Sequence, residues 1–237
     1  MNLILLTEAD FDTDNIATLS DRRFQHIHTV HKAQVGDTLK VGKLNGELGI
    51  AEVTAISGIS VTLRTNCTQS PPDALPLTIV LALPRPKMLK RTLQSITSMG
   101  VKQIYLINAY KVDKSYWSSP VLDAESLQEQ LMLGLEQCID TQLPEIHLRK
   151  RFKPFVEDEL PAIAAHTRAL VAHPYNAASC PCAENTPTTL AVGPEGGFIQ
   201  YEVDKLNEAG LTPMHIGPRI LRVENAVPVL LARLFPI

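Results

Sequence analysis

The segment from Leu190 to Arg222 constrains the fold more than any other part of this sequence. An apolar strand pattern at Leu190–Val192 stops at Gly193-Pro194-Glu195-Gly196-Gly197, and a second short strand runs into Ile216-Gly217-Pro218-Arg219. Two glycine-proline corners therefore follow two successive strands. In open α/β sheets, ligands bind at the carboxyl ends of the strands, and glycine lets the main chain approach a ligand closely. The segment thus predicts a small-molecule pocket built largely from main chain.

From residue 76 onward the sequence alternates between strand and helix patterns. Strands are predicted at Leu77–Leu83, Gln103–Asn108, Ala169–Ala172, Leu190–Val192 and Pro213–Ile216. Helices are predicted at Pro86–Met99, Ala124–Cys138, Phe155–Ala165, Tyr201–Ala209 and Val223–Phe235. Within the first helix an apolar stripe is formed by Leu89, Leu93 and Ile96, and Gly100 is suited to end it. Such alternation predicts an α/β domain with a mostly parallel sheet covered on both faces.

The first 70 residues have a different pattern. Short β-branched runs at Thr38–Val41, Gly49–Ile56 and Ser60–Thr65 are separated by turn sequences such as Asn45-Gly46. This spacing is typical of a small β-barrel. The stretch Ser70–Asp73, with two prolines, interrupts regular structure and predicts a linker. We therefore expect two domains, at residues 1–70 and 74–237.

The formal net charge of −3 excludes a globally basic nucleic-acid-binding protein, so any contact with RNA needs local basic patches. Basic clusters occur at residues 22–32, 85–91 and 149–153, although each is also typical of an ordinary solvated surface.

Cys180-Pro181-Cys182 is too closely spaced for a zinc site and has no matching second pair, so no metal is expected. Neither a signal peptide nor a membrane span is predicted, which favours the cytoplasm.

The first corner alone does not define a function. It lacks the Gly-Lys-Ser/Thr of a P-loop and the G-x-G-x-x-G of dinucleotide-binding folds, and a turn that packs a helix would have the same pattern. The second corner adds information because it leads into the last predicted helix. The helix dipole stabilises Glu224 in the first turn but disfavours Arg222, so Arg222 is a candidate for a role in the site.

The paired corners, GPEGGF and then G-x-R-I-L-R-x-E, resemble the RsmE family of the SPOUT superfamily. This family comprises uridine-N3 methyltransferases of small-subunit ribosomal RNA. The resemblance implies a PUA-like barrel at residues 1–70 and a trefoil-knotted α/β domain at residues 74–237. It also implies S-adenosylmethionine as cofactor, ribosomal RNA or the small ribosomal subunit as partner, and a homodimer. Sequence pattern alone would not predict a knot, because true knots are nearly absent from known folds.

Site residues follow from the corners and the resemblance together. The residues expected to bind the cofactor are Leu83, Gly193, Pro194, Glu195, Gly196, Gly197, Ile216, Gly217, Ile220 and Leu221. Arg222 is expected to orient and stabilise an anionic base, and Glu224 is either a general base or a helix cap. The residues expected to contact RNA are Arg22, Arg23, Lys32, Lys87 and Arg91. Tyr116 and Trp117 would stack a base or be buried, and His173 would line the pocket or be a core histidine.

The chain also departs from the family pattern. It has Arg222-Val223-Glu224-Asn225-Ala226 where the family usually has R-T-E-T-A, so two hydroxyls are missing. An Arg-Ser element after the second strand is replaced by a segment that begins at Lys111. Two alternatives therefore stay open. One is a non-catalytic RNA-binding or ribosome-assembly protein that keeps the fold, and the other is an enzyme whose glycine corner binds phosphate.

Overall fold

A computed structural model describes residues 2–236. The chain forms two compact units, one made of residues 1–73 with 131–143 and the other of residues 74–130 with 144–237. This division differs from the expected domains in one respect. Residues 131–143, which include the second half of the helix Ala124–Cys138, belong to the first unit although they are remote from it in sequence.

The first unit contains a six-stranded sheet with the strand order β1-β4-β5-β6-β3-β2. Its strands are β1 (Ile4–Leu6), β2 (Phe11–Thr13), β3 (Ile16–Leu19), β4 (Thr38–Lys43), β5 (Leu48–Ile56) and β6 (Val61–Gln69). The three strands predicted from turn spacing correspond to β4, β5 and β6, which pair antiparallel. The first three strands were not predicted, because runs of three or four residues are too short to show alternation.

Arg23 is a structural residue of the first unit, and its prediction as an RNA contact is corrected here. It lies in α1 (Arg22–His26) and is only 6% exposed. Its guanidinium donates to both Asp10 oxygens at 2.6 and 2.7 Å, to Asp21 at 2.7 Å and to the Leu5 carbonyl at 2.7 Å. Charge clustering in the sequence does not reveal burial, so this residue could not be distinguished from its exposed neighbours.

The second unit contains a seven-stranded, all-parallel sheet with the order β11-β13-β10-β12-β7-β8-β9. Its strands are β7 (Leu75–Ala82), β8 (Val101–Ile107), β9 (Glu145–Arg149), β10 (Arg168–Ala172), β11 (Ala178–Ser179), β12 (Thr188–Val192) and β13 (Thr212–His215). The predicted mixed α/β class and parallel sheet are confirmed. Strand β12 is buried along its whole length, since β10 and β7 flank it on either side.

The helices agree with the sequence patterns except in one region. They are α2 (Pro86–Ser98), α3 (Ala124–Cys138), α4 (Phe152–Pro154), α5 (Leu160–Ala164), α6 (Gln200–Glu208) and α7 (Val223–Leu234). Helix α2 buries Leu89, Leu93 and Ile96 as predicted, and Gly100 follows its end with a φ of 85°.

The helix predicted at Phe155–Ala165 lies within a continuous helical segment but is not a regular α-helix. The chain instead forms α4, a π-helical turn at Phe155–Glu159 and α5. Pro161 has no N–H to donate to the preceding turn, which accounts for the interruption of regular α-helical hydrogen bonding.

We expect Arg23→Met to destabilise the first unit by about 3–5 kcal/mol, because it leaves the Asp10 carboxylate, whose side chain is only 11% exposed, without its cation. Burial raises the pKa of Asp10, but the hydrogen bonds and charge of Arg23 outweigh burial, so this pKa lies below its ordinary value. The resulting stability is present above the unfolded-state pKa and is lost as the pH falls through the lower folded-state pKa. Urea unfolding at several pH values measures both effects. Wild-type stability in Arg23→Met, or an unchanged acid dependence, would contradict this role.

Candidate functional site

The two glycine corners enclose one cavity at the carboxyl edge of the parallel sheet. The cavity has a volume of about 350 Å³. Of the ten residues expected to bind a cofactor, nine line it, namely Gly193, Pro194, Glu195, Gly196, Gly197, Ile216, Gly217, Ile220 and Leu221. A volume of this size is in the range of small-molecule sites. The structure therefore brings the two corners together, whereas their contact with a cofactor stays a prediction.

Leu83 is placed elsewhere. It follows β7 and is buried, and its N–H donates to the Ile107 carbonyl at 2.9 Å. It is not among the residues that line the cavity. Leu83 instead continues the pairing of β7 with β8.

The first corner requires glycine for steric reasons. A Cβ atom on Gly193 would lie 2.9 Å from the backbone nitrogen of Phe198, which is closer than real Cβ contacts. Gly197 has a φ of 69°, in the left-handed region that side chains rarely adopt. The sequence therefore forms a turn so tight that Phe198 returns against Gly193, and both residues line the cavity.

Two hydrogen bonds from outside the corner hold it in place. The Glu195 carboxylate accepts a hydrogen bond from the Arg85 backbone nitrogen at 3.2 Å. On the other side, the Lys111 Nζ donates to the Gly196 carbonyl at 2.7 Å. Lys111 also lines the cavity, so it brings a positive charge to the wall formed by the first corner. The segment that departs from the family pattern thus contributes directly to this site.

The second corner is shaped by β13. The Gly217 N–H donates to His215 Nδ1 at 3.1 Å, so His215 acts as an acceptor on this nitrogen. Gly217 has a φ of 131°, which only glycine adopts readily. Beyond the corner the cavity wall is apolar, with Leu221, Val223 and Ala226 among its residues. This half of the site therefore combines exposed main chain with an apolar surface.

Arg222 and Glu224 flank the cavity without lining it. Arg222 is the exposed N-cap residue of α7, and its carbonyl accepts from the backbone nitrogens of Asn225 and Ala226. Glu224 is half-buried in the first turn. Their sequence neighbours Leu221 and Val223 do line the cavity.

His173 is a site residue that the sequence only partly indicated. It follows β10, lines the cavity and packs edge-to-face against Tyr175 with ring centroids 5.8 Å apart. Burial lowers the pKa of His173, and the charge of Lys111 lowers it further. The lowered pKa favours the neutral form of the imidazole, which is the form that can accept a proton. The strand-end rule that marked the corners and His173 would also have marked Lys111, which follows β8.

The proposed RNA-contacting residues differ in environment. Lys32, Lys87 and Arg91 are exposed. Arg22 is partly exposed, and its guanidinium forms a two-point contact with Glu136 at 2.8 and 2.9 Å. Trp117 is half-buried, and its indole N–H donates to the Asn108 side chain, which favours a structural role over base stacking.

Membrane spans and metal clusters are both absent from residues 2–236. No helix in this range is long and apolar enough to cross a membrane. No group of three or more His, Cys, Asp or Glu side chains in the same range is arranged to hold a metal ion.

Similarity to known proteins identifies the family. Residues 71–235 match the RNA methyltransferase domain family. The chain belongs to this family. Over 233 residues it is 28% identical to ribosomal RNA small subunit methyltransferase E of Treponema pallidum, covering 95% of this chain and 87% of the relative. It is 25% identical to methyltransferase E 1 of Borreliella burgdorferi, covering 95% and 94% of the two chains. The resemblance to the RsmE family is thus confirmed.

Solved structures show the same fold. A protein from Legionella pneumophila, described as a methyltransferase and solved with bound SAM, superposes with a TM-score of 0.75 at 20% identity. Ribosomal RNA small subunit methyltransferase E of Neisseria gonorrhoeae, bound to S-adenosylmethionine, superposes with a TM-score of 0.75 at 18% identity. Each superposition covers 98% of this chain and 95% of the other.

The environment of His173 can be tested directly. We expect its imidazole to titrate below 6.5 in an NMR pH titration, because it is partly buried beside Lys111. Lys111→Met removes the neighbouring charge and should raise this pKa, while the contribution from burial remains. Lys102→Met, at the amino end of β8, is the matched control and should leave the titration unchanged. A His173 resonance that titrates above 6.5 in the wild-type protein would contradict this arrangement.

Proposed function

We propose that this protein transfers the methyl group of S-adenosylmethionine to N3 of a uridine in 16S ribosomal RNA. The observation that carries the proposal is the cavity formed by both glycine corners in a chain of the RNA methyltransferase domain family. The relatives named ribosomal RNA small subunit methyltransferase E support the substrate, and the neighbours solved with bound SAM support the cofactor.

The cavity has suitable chemistry for this cofactor. Main chain at Gly193–Gly197 and Ile216–Leu221 supplies donors and acceptors for polar groups, while Val223, Ala226 and Leu230 supply an apolar wall for a planar ring. The sulfonium already activates the methyl group, so no covalent enzyme nucleophile is required. The protein must align the acceptor nitrogen with the methyl group and exclude water.

N3 of uridine carries a weakly acidic proton that must leave before or during transfer. Glu224 and the neutral imidazole of His173 are the two candidate general bases near the cavity. Arg222 is the candidate for stabilising the anionic base, and Lys111 adds positive charge to the wall formed by the first corner. Glu224 or His173 would thus remove the proton, and Arg222 and Lys111 would stabilise the resulting negative charge.

Finer features of the fold belong to the same proposal. We infer a trefoil knot in the second unit, supported by the path of the chain from β12 to β13, which crosses β10. We also infer that the first unit is a PUA-like barrel that binds RNA through Arg22 and Lys32, with Lys87 and Arg91 contributing from α2. A crystal structure of the RNA complex tests both inferences.

We further propose that the protein acts in the cytoplasm as a homodimer. Exposed apolar side chains at the second corner and on α7, Ile220 and Val229, support self-association of the second unit. Sedimentation equilibrium tests this directly, and a monomer at all concentrations would exclude the dimer.

Calorimetry with S-adenosylmethionine is the decisive test of the site. Gly196→Val should abolish binding, because the branched side chain blocks the main-chain surface of the first corner and its Cβ meets Lys111 Cδ at 2.7 Å. Gly58→Val is the control, since a Cβ there meets nothing within 4 Å. Unchanged affinity in a folded Gly196→Val variant would show that the first corner does not bind the cofactor. No binding by the wild-type protein at millimolar cofactor would favour the non-catalytic RNA-binding alternative.

Arg222 should affect turnover more than cofactor affinity. If Arg222 stabilises the anionic base, Arg222→Ala should raise the activation barrier of single-turnover methylation by about 2–4 kcal/mol, which is the usual cost of losing one preorganised donor. Arg222→Lys should recover little if the contact requires a planar fork. Glu224→Gln and His173→Gln, measured across pH, identify the base, because only the variant that lacks it should lose the acid limb of the rate profile. A near-normal rate for Arg222→Ala would assign Arg222 a structural or phosphate-binding role.

A further inference from the structure

A second surface lies at the carboxyl edge of the sheet, beyond the cavity. It consists of the residues that follow β8 and β9, namely Tyr110, Lys114, Lys150, Arg151 and Lys153, and is called the β8–β9 rim below. All five side chains are exposed, and Tyr110 is 79% exposed. None of them lines the cavity. The rim is therefore a feature that cofactor binding does not explain.

The rim is continuous with the cavity. Tyr110 immediately precedes Lys111, which lines the cavity and binds the Gly196 carbonyl. On the β9 side, the Phe152 ring packs against Phe198, with centroids 6.3 Å apart, and Phe198 also lines the cavity. Arg151 and Lys153 flank Phe152 in sequence. If the target nucleotide of an RNA chain enters the cavity, the nucleotides that flank it would therefore lie next to the rim.

The main chain of the rim is held firmly. The Tyr110 backbone nitrogen donates to the buried carboxylate of Glu202 at 2.6 Å. Two residues earlier, the Asn108 nitrogen donates to the Arg149 carbonyl at 3.0 Å, which ties the end of β8 to the end of β9. An aromatic ring that is exposed on a fixed backbone contributes nothing to the core and offers a flat face to a ligand.

One cation of the rim, Lys153, has an ion-pair partner, and two others do not. Glu159 pairs with Arg149, and Glu157 lies between Lys153 and Lys205 at 3.9 and 3.4 Å. Within residues 2–236, Lys150 and Arg151 form no ion pair. Two exposed cations after β9, with an exposed aromatic ring after the neighbouring strand β8, match the requirements of a single-stranded nucleic acid, whose phosphates need cations and whose unpaired bases stack on aromatic faces.

We propose that the β8–β9 rim binds the single-stranded RNA that flanks the target nucleotide. Tyr110 stacks on an unpaired base, and Lys150 and Arg151 contact phosphates. Strands β12 and β9 are three strand spacings apart, about 14 Å, so the rim reaches nucleotides next to the target rather than the target itself. The inference rests on the proposed function and adds to it a path for the RNA within the second unit.

The test measures binding of a short single-stranded oligoribonucleotide to the full chain as a function of salt. Tyr110→Ala should weaken binding by about 5- to 100-fold, the cost of one lost stacking contact, and Tyr110→Phe should bind like the wild type. The double variant Lys150→Ala/Arg151→Ala should lower the logarithmic salt slope by roughly 1.4, as for two phosphate contacts on a single strand. A duplex of the same sequence should bind less tightly because its bases are not available for stacking.

Lys102→Ala, at the amino end of β8 and thus at the opposite edge of the sheet, is the matched control and should retain the wild-type slope. Calorimetry with S-adenosylmethionine should give the wild-type affinity for every rim variant, which separates loss of RNA contact from loss of fold. If both rim variants methylate normally and bind RNA with wild-type affinity, the rim does not bind RNA, and the proposed function stands. If RNA binding depends on the rim but the protein transfers no methyl group, the proposed function is wrong and the role of the rim in RNA binding stands.

Discussion

The parallel arrangement of the second sheet is the constraint on which the site depends. Because all seven strands are parallel, every carboxyl end lies at the same edge. Residues distant in sequence are thereby brought together, as Lys111 after β8, His173 after β10 and Gly196 after β12 show. The buried strand β12 is central to this arrangement. Its pairing with β10 and β7 fixes the position of the first corner relative to the ends of those two strands.

Main-chain geometry determines the shape of both corners. The corners depend on a close approach at Gly193 and on the left-handed backbone at Gly197 and Gly217, which few other residues permit. The departures from the family pattern have unequal weight. Asn225 is exposed, whereas Val223 is buried and lines the cavity. The lost hydroxyl at position 223 therefore changes the lining of the site, and the one at position 225 changes only its surroundings.

Sequence patterns predicted the elements whose cause is local. Helix α3 has the predicted bounds, Ala124–Cys138, and the corners converge because strand ends in a parallel sheet must do so. Two differences between the sequence predictions and the structure have non-local causes. The role of Arg23 depends on Asp10, which lies on a different element, and the inclusion of residues 131–143 in the first unit depends on contacts between residues far apart in the chain. Neither hydrophobic period nor turn chemistry contains that information.

Charge placement links the chemistry to the surface on which RNA is proposed to lie. Although the chain as a whole is acidic, Lys111, Arg219 and the cations of the rim lie at the carboxyl edge of one sheet. In the proposed reaction a cationic cofactor meets a uridine that must become anionic, so positive charge near the acceptor lowers the cost of losing the N3 proton. The same charge on Lys111 helps to keep His173 neutral and thus able to accept a proton. Lys111 would then stabilise the anionic uridine and keep the candidate base unprotonated before the reaction, with its ammonium held by the Gly196 carbonyl.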